Sequence, residues 1–260
     1  MIFMLYILSK TTWPKEVILM KVLTYSSYKH VDKSDFLDKV SIVIDMLCTT
    51  TTITTVLSKG CAMVIPVEKR EDAFKLKTEL STDLDVICGG ERDGVKLEGF
   101  DYANMPLEYD RKFIKDKCLI LCTTNGTKAI TKAVFSKALL IGCMNNAMAV
   151  SRKAVEMTDK NNDIILLCAG NRGQFSADDV ITAGAIISRI KEEIKIDDMD
   201  DLSHTALWLY ERNKDNLHHF LCKCRSYRII ENLKQKENID YCFMEDISDT
   251  VPIYKDGIIK

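Results

Sequence analysis

The chain repeatedly gathers Val, Ile and Leu into short runs that are apolar almost throughout and stop abruptly in small polar residues. Val40 to Ile44, Leu119 to Cys122, Leu139 to Cys143 and Ile164 to Cys168 are of this kind. A strand with one wet face alternates apolar and polar residues, so an uninterrupted run implies cover on both faces. Val22 to Tyr25, Ala62 to Val67 and Val86 to Cys88 extend the series. Between the runs lie helical patterns: Thr49 to Lys59 before Gly60, Arg70 to Leu80, Asn125 to Phe135, Asn145 to Thr158 and Ser176 to Ile194. Strands alternating with helices predict an α/β fold, a layered sandwich of mixed, largely parallel β-sheets flanked by helices. After about Ile194 the pattern turns to helices, over Asp200 to Glu211, Leu217 to Cys222 and Tyr227 to Lys234. The end, Val251 to Ile259, predicts a small hairpin around Asp256-Gly257.

Bulk properties exclude several classes. Lys plus Arg total 36 against 38 Asp plus Glu, a net charge of -2, so no basic face awaits a nucleic acid. The 10 cysteines include no C-x-x-C pair and sit mostly in apolar runs, which reads as buried thiols in a reducing cytoplasm. Cys222 and Cys224 near His218 and His219 are the nearest approach to a zinc cluster, without its ligand spacing. The apolar stretch Ile2 to Leu8 is too short to cross a bilayer, so no membrane partner is expected. Met20 opens what reads as the first strand, which makes residues 1–19 an N-terminal extension and 20–260 the folded α/β unit. A division into two α/β subdomains would leave no mark in the composition, and a homo-oligomer stays open.

Polar residues cluster where the apolar runs end, and open α/β sheets bind ligands at the carboxyl ends of their strands. Asp45 ends one run and is followed by Thr49-Thr50-Thr51-Thr52 at a helix start. Threonine is a poor choice for a helix interior, whereas hydroxyls and free N–H groups at a helix start suit a phosphate. Cys88-Gly89-Gly90-Glu91-Arg92 reads as a glycine turn that presents Glu91, a donor for a hard cation such as magnesium. Gly99 to Pro106 places Asp101 and Asn104 in a loop. Thr123-Thr124-Asn125-Gly126-Thr127-Lys128 has the logic of a phosphate cradle without the spacing of a nucleotide-binding loop. There is no G-x-S-x-G elbow, and the 4 histidines lie away from the strand ends, which argues against a serine or histidine nucleophile. Asp45 is a metal ligand on the first reading and a nucleophile on the second.

Taken in order, Ile44-Asp45-Met46-Leu47 with Thr49 to Thr52, Gly90-Glu91-Arg92, Gly99-Phe100-Asp101-Tyr102-Ala103-Asn104 with Pro106, Thr123-Thr124-Asn125-Gly126-Thr127, Asn146 with Ala149, and Cys168-Ala169-Gly170 with Asp178-Asp179 resemble the 2-phosphosulfolactate phosphatases. The resemblance runs from about Met20 to Ile190. It implies magnesium-dependent hydrolysis of 2-phospho-3-sulfolactate to 3-sulfolactate and phosphate, a step of coenzyme M biosynthesis. The set of residues it implies is Asp45, Glu91, Arg92 and Asn125 as catalytic. Thr50, Thr51, Asn104, Thr123, Thr124, Gly126, Thr127 and Lys128 are the expected substrate contacts, and Asp45, Glu91 and Asp179 the expected magnesium ligands. Cys48 stands where the family usually has an arginine, and Arg92, Lys128 or Arg172 is expected to supply that charge. The alternative is a non-catalytic or respecialised relative that binds another phosphorylated or sulfonated metabolite. A pure interaction domain is the third reading.

Overall fold

The computed structural model describes residues 20–158, 163–196 and 198–260. The extension expected over residues 1–19 lies outside the described residues. In chain order the elements are β1 (Lys21–Tyr25), β2 (Val40–Ile44), α1 (Thr49–Ser58), β3 (Met63–Val67), α2 (Arg70–Leu80), β4 (Val86–Arg92), β5 (Val95–Lys96), α3 (Arg111–Ile114), β6 (Cys118–Cys122), α4 (Gly126–Lys132) and β7 (Ala138–Gly142). They continue with α5 (Ala147–Met157), β8 (Ile164–Cys168), α6 (Ala177–Glu193), β9 (Asp198–Met199), α7 (Asp201–Asn213), α8 (Leu217–Leu221), α9 (Arg225–Asn232), α10 (Lys236–Cys242), β10 (Ile253–Lys255) and β11 (Ile258–Ile259).

The strands form one sheet in the order β5-β4-β6-β3-β11-β10-β7-β2-β8-β1-β9. Two parallel blocks stand out: β4, β6 and β3 form one, and β7, β2, β8 and β1 the other. β2, β6, β7 and β8 are buried along their whole length, as their uninterrupted apolar sequences require. One face of the second block packs on α5, α6 and α7 through Val150, Ile186, Ile187 and Leu207. The opposite face is filled by Ile53 and Val56 of α1 and Ala129 and Ile130 of α4. Helix α2 covers the first block through Ala73.

The C-terminal hairpin forms as the Asp256-Gly257 signal predicts, but it lies in the middle of the sheet. It joins the two blocks by antiparallel pairing, Ile253 with Leu140 and Ile259 with Val64. The predicted glycine turn at Gly89-Gly90 is instead strand, because β4 runs on to Arg92. A Cβ on Gly90 would sit 2.1 Å from the Cys122 carbonyl oxygen, so the glycine permits the close pairing with β6. The short elements β5, β9, α3 and α10 carry no periodicity that a sequence reading could detect.

Helix α1 is mostly threonine and is buried through Val56. Two of its hydroxyls are satisfied within the helix: Thr54 Oγ1 donates to the Thr50 carbonyl at 2.9 Å and Thr55 Oγ1 to the Thr51 carbonyl at 2.7 Å, whereas Thr52 Oγ1 is buried without a partner. Back-bonding to the preceding turn lets short polar side chains enter a core at little cost.

Candidate active site

The carboxyl ends of β2, β4, β6 and β8 open into one cleft. It is lined by Asp45 and Thr49 from the β2 end, Glu91, Asp93 and Gly94, Asn104, Thr124-Asn125, and Gly170-Asn171 with Ser176, Asp178 and Asp179. Ser226, Ile229 and Ile230 of α9 close it from the C-terminal helical segment.

Asp45 lies at the centre and is buried. Thr49 Oγ1 donates to its Oδ2 at 2.7 Å, and Asn104 Nδ2 donates to Thr49 Oγ1 at 3.2 Å. The Gly126 amide also donates to Asp45. A Cβ on Gly126 would come within 2.5 Å of Asp45 Oδ2 and of Thr49 Cβ, so a glycine here lets the β6–α4 turn close onto the carboxylate. Asn104 Oδ1 is buried with no hydrogen-bond partner. An amide oxygen buried in that way at a cleft wall has an unmet need for a donor or a cation.

Glu91 is held by three donors: the Thr124 amide at 2.7 Å on Oε1, with Thr124 Oγ1 at 2.9 Å and the Gly94 amide at 2.8 Å on Oε2. Asp179 bridges two strand ends, accepting from the Met46 amide at 3.0 Å and the Gly170 amide at 2.8 Å. Its neighbour Asp178 takes a hydrogen bond of 2.5 Å from Ser176 Oγ, and Ser226 and the Leu47 amide also reach it. Both aspartates sit in the first turn of α6, where the helix dipole favours negative charge.

The cleft therefore gathers the carboxylates of Asp45, Glu91, Asp93, Asp178 and Asp179, and among the described residues no lysine, arginine or histidine lines it. Burial pushes the Asp45 carboxyl up to about 7; the charges of Asp178 and Glu91 add to the rise, and the Thr49 and Gly126 hydrogen bonds oppose it. Burial, followed by the charges of Asp178 and Asp45, holds Asp179 well above the usual carboxylate range, and burial raises Asp178 as well. Mutual repulsion among desolvated carboxylates is relieved by a bound cation. Among the described residues no three His, Cys, Asp or Glu side chains form a ready-made cage. Magnesium does not need one, because it is held by one or two carboxylates and keeps water and substrate oxygens as its remaining ligands. The donor set of hard oxygens, including the orphan Asn104 Oδ1, fits that ion.

A family model described as 2-phosphosulpholactate phosphatase matches residues 25–257. The chain belongs to the 2-phosphosulfolactate phosphatase family. Its relatives include a Clostridium novyi protein named "Probable 2-phosphosulfolactate phosphatase", 40% identical over 90% of this chain and 96% of the relative. A Clostridium botulinum protein of the same name is 39% identical over 93% of this chain and 100% of its own length. One from Caldanaerobacter subterraneus is 37% identical over 93% and 98%. Members of this family are phosphatases, and the cleft at the strand ends brings together several of the polar residues that the sequence masses there.

Not every expected residue lines the cleft. Asp45, Glu91, Asn104, Thr124, Asn125 and Asp179 do. Thr123 and Gly126 stand directly behind Asp45 and Thr49. Thr50 and Thr51 turn their hydroxyls to the carbonyls of Asp45 and Met46, at 3.0 and 2.9 Å, and brace the turn. Thr127 donates to the Thr123 carbonyl at 3.3 Å. Lys128 is not among the lining residues. Arg92 bonds the carbonyls of Glu91 and Glu68, both at 2.8 Å, and leans on Cys122 Sγ, because the strand's alternation sends it to the face opposite Glu91. Asp179 has both oxygens engaged by backbone amides, which makes it a clamp between strands. Cys48 does line the cleft, with its thiol hydrogen-bonded to Cys242. Thr49 and Asp178 stand in the motifs read from the sequence but carried no expected site role there, and neither Ser176 nor Ser226 was an expected site residue. Thr49 and Asp178 each lie one residue from a chosen position, and only helical phase separates them.

Proposed function

We propose that the chain hydrolyses a small phosphate monoester with magnesium, and that its substrate is 2-phospho-3-sulfolactate, released as 3-sulfolactate and phosphate. The observation that carries this reading is a cleft walled by carboxylates, with no basic side chain among the described residues that line it, at the strand ends of a chain of this family. A phosphate dianion would be repelled from such a cleft unless a cation came with it. Asp45 and Glu91 are the residues that would hold the ion, with Asp178 close by and the Asn104 carboxamide oxygen as a neutral donor. When bound, magnesium supplies the positive charge that offsets the phosphate and polarises its oxygens.

The chain's own groups then do three things. Thr49 fixes the Asp45 carboxylate through the 2.7 Å hydrogen bond, while Asn104 fixes Thr49. Glu91 is locked by Thr124 and Gly94, so it cannot swing away as the ester enters. Asn125 offers its side-chain amide along the cleft for the phosphate oxygens, while the Thr124 hydroxyl and amide stay on Glu91. Replacing Asp45 with Asn tests the assignment: purified Asp45→Asn that retained full magnesium-dependent phosphatase activity would sink it.

A second reading keeps the site and changes the ester. Cys48 motivates it, since a buried thiol packed on Cys242 cannot offer the charge an arginine would bring to the same wall. On that reading Cys48→Arg raises turnover of phosphosulfolactate, and the unmodified chain prefers a less anionic phosphate ester.

A further inference from the structure

A substrate that carries a sulfonate and a carboxylate as well as its phosphate brings more negative charge than one cation site offsets. Among the described residues, the cleft lining offers no lysine or arginine for the rest. Arg92 is committed to two carbonyls below the cleft. The rim holds a different candidate. Arg172, in the loop after β8, follows the lining residues Gly170 and Asn171, and its guanidinium pairs with Asp93, itself a lining residue. Among the described residues it is the basic side chain ion-paired to a carboxylate of the cleft.

Its placement is fixed at the main chain. The Arg172 amide donates to Asn125 Oδ1 at 2.9 Å, the Asp93 amide donates to Thr124 Oγ1 at 3.3 Å, and the Gly94 amide donates to Glu91 Oε2 at 2.8 Å. Three loops thus form a closed ring at the mouth of the cleft, with the Arg172–Asp93 pair as its most exposed link. Both side chains are about half exposed, at 53% and 55%. Breaking such a pair costs less than about fivefold in an equilibrium constant. The guanidinium can therefore leave Asp93 for an incoming anion at small cost while its backbone stays anchored.

We infer that Arg172 is the specificity-determining residue that takes the second anionic group of the substrate, a sulfonate or carboxylate, by exchanging Asp93 for it. This rests on the proposed phosphate-ester reading for the substrate, but it concerns only the end of the molecule away from the phosphorus. A planar guanidinium meets a carboxylate with paired hydrogen bonds and a sulfonate through adjacent oxygens. Asp93 is then the occupant of that subsite in the free protein, competing with the substrate.

Titration calorimetry with 3-sulfolactate, in magnesium buffer, tests this without requiring turnover. Arg172→Gln should bind it roughly 10- to 100-fold more weakly than the wild type, the value of a charge-assisted pair, and Arg172→Lys should recover part of the loss. In the steady state the KM of Arg172→Gln for 2-phosphosulfolactate should rise at least about tenfold more than its KM for glycerol 2-phosphate. Competition by lactate and by isethionate tells whether carboxylate or sulfonate is the group held. Asp93→Asn is the sharper arm: removing the competitor should tighten binding, whereas a pair that merely ties two loops would give weaker binding. The proposal is overturned if Arg172→Gln binds sulfolactate as tightly as the wild type, if the wild type does not bind it, or if Asp93→Asn weakens binding as Arg172→Gln does. Arg172-dependent binding in a protein that hydrolyses no ester would instead sink the phosphatase reading and leave this one standing.

Discussion

Helix α6 carries buried charge at both ends, and the two ends are built in opposite ways. At its start, Asp178 and Asp179 are buried beside Asp45 on hydroxyl and amide donors alone, and among the described residues no basic side chain lines the cleft with them. Near its other end, Arg189 is buried and surrounded by partners: its Nε donates to Asp246 at 3.1 Å, an Nη donates to Tyr210 Oη at 2.5 Å, and another pairs with Glu245. Burial there would lower the Arg189 pKa, but the bonds to Tyr210 and Asp246 outweigh it, and the group is held more firmly protonated than a free arginine. Buried charge that is fully matched ties elements together, here α6 to the chain after α10. Buried carboxylates without a basic partner are instead the setting that the proposed magnesium would offset.

The largest break in that contrast is Asp45→Asn. It should cut magnesium-dependent phosphatase activity by on the order of 10²–10³-fold or more in steady-state kinetics, while the metal-free protein melts no lower than wild type at pH 8, since a repelled carboxylate has gone. Arg189→Met should do the reverse. It leaves Glu245 and Asp246 facing each other and should cost about 3 kcal/mol in urea unfolding, with kcat of the folded fraction within about twofold of wild type. Gly126→Ala pushes a methyl to 2.5 Å from Asp45 Oδ2 and Thr49, and should cost about 1–3 kcal/mol of stability and weaken magnesium binding.

The pH dependence sharpens the same comparison. The Asp45 carboxyl ordinarily titrates near 3.8 and is raised to about 7 in the fold, so the folded state binds its proton more tightly than the unfolded state. Its favourable contribution is complete at low pH and is lost as pH rises from the unfolded value through the folded one. The melting temperature of the metal-free protein should therefore fall by several degrees between pH 5 and about 7.5. Magnesium should flatten that fall by binding the folded state, and Asp45→Asn should shrink it. Smallest of all, Thr49→Val removes one hydrogen bond to Asp45 and should lower kcat by about tenfold or less with little change in KM.

Much of the architecture was legible in the sequence. The doubly covered strands announced themselves as unbroken apolar runs, and each of the predicted strand ends feeds a loop. The place of the hairpin was not legible, because Ile253 and Ile259 are set by partners at Leu140 and Val64, far along the chain. The site was legible to the level of its loops but not of its atoms. Four adjacent threonines look alike in sequence, yet helical rotation aims Thr49 at Asp45 and sends Thr50 and Thr51 to backbone carbonyls. Arg92 beside Glu91 followed the same rule in a strand, where neighbours point to opposite faces.

The sequence by itself determined that this chain is an α/β protein with polar groups massed at its strand ends, because side-chain period and burial are local consequences of composition along the chain. Only the tertiary structure decided which of those groups share one cleft, that among the described residues no cationic side chain lines it, and that α9 closes it with Ser226. Convergence of loops separated by up to about half the chain depends on sheet order and helix phase. Those are fixed by packing between distant segments, which no window of sequence contains.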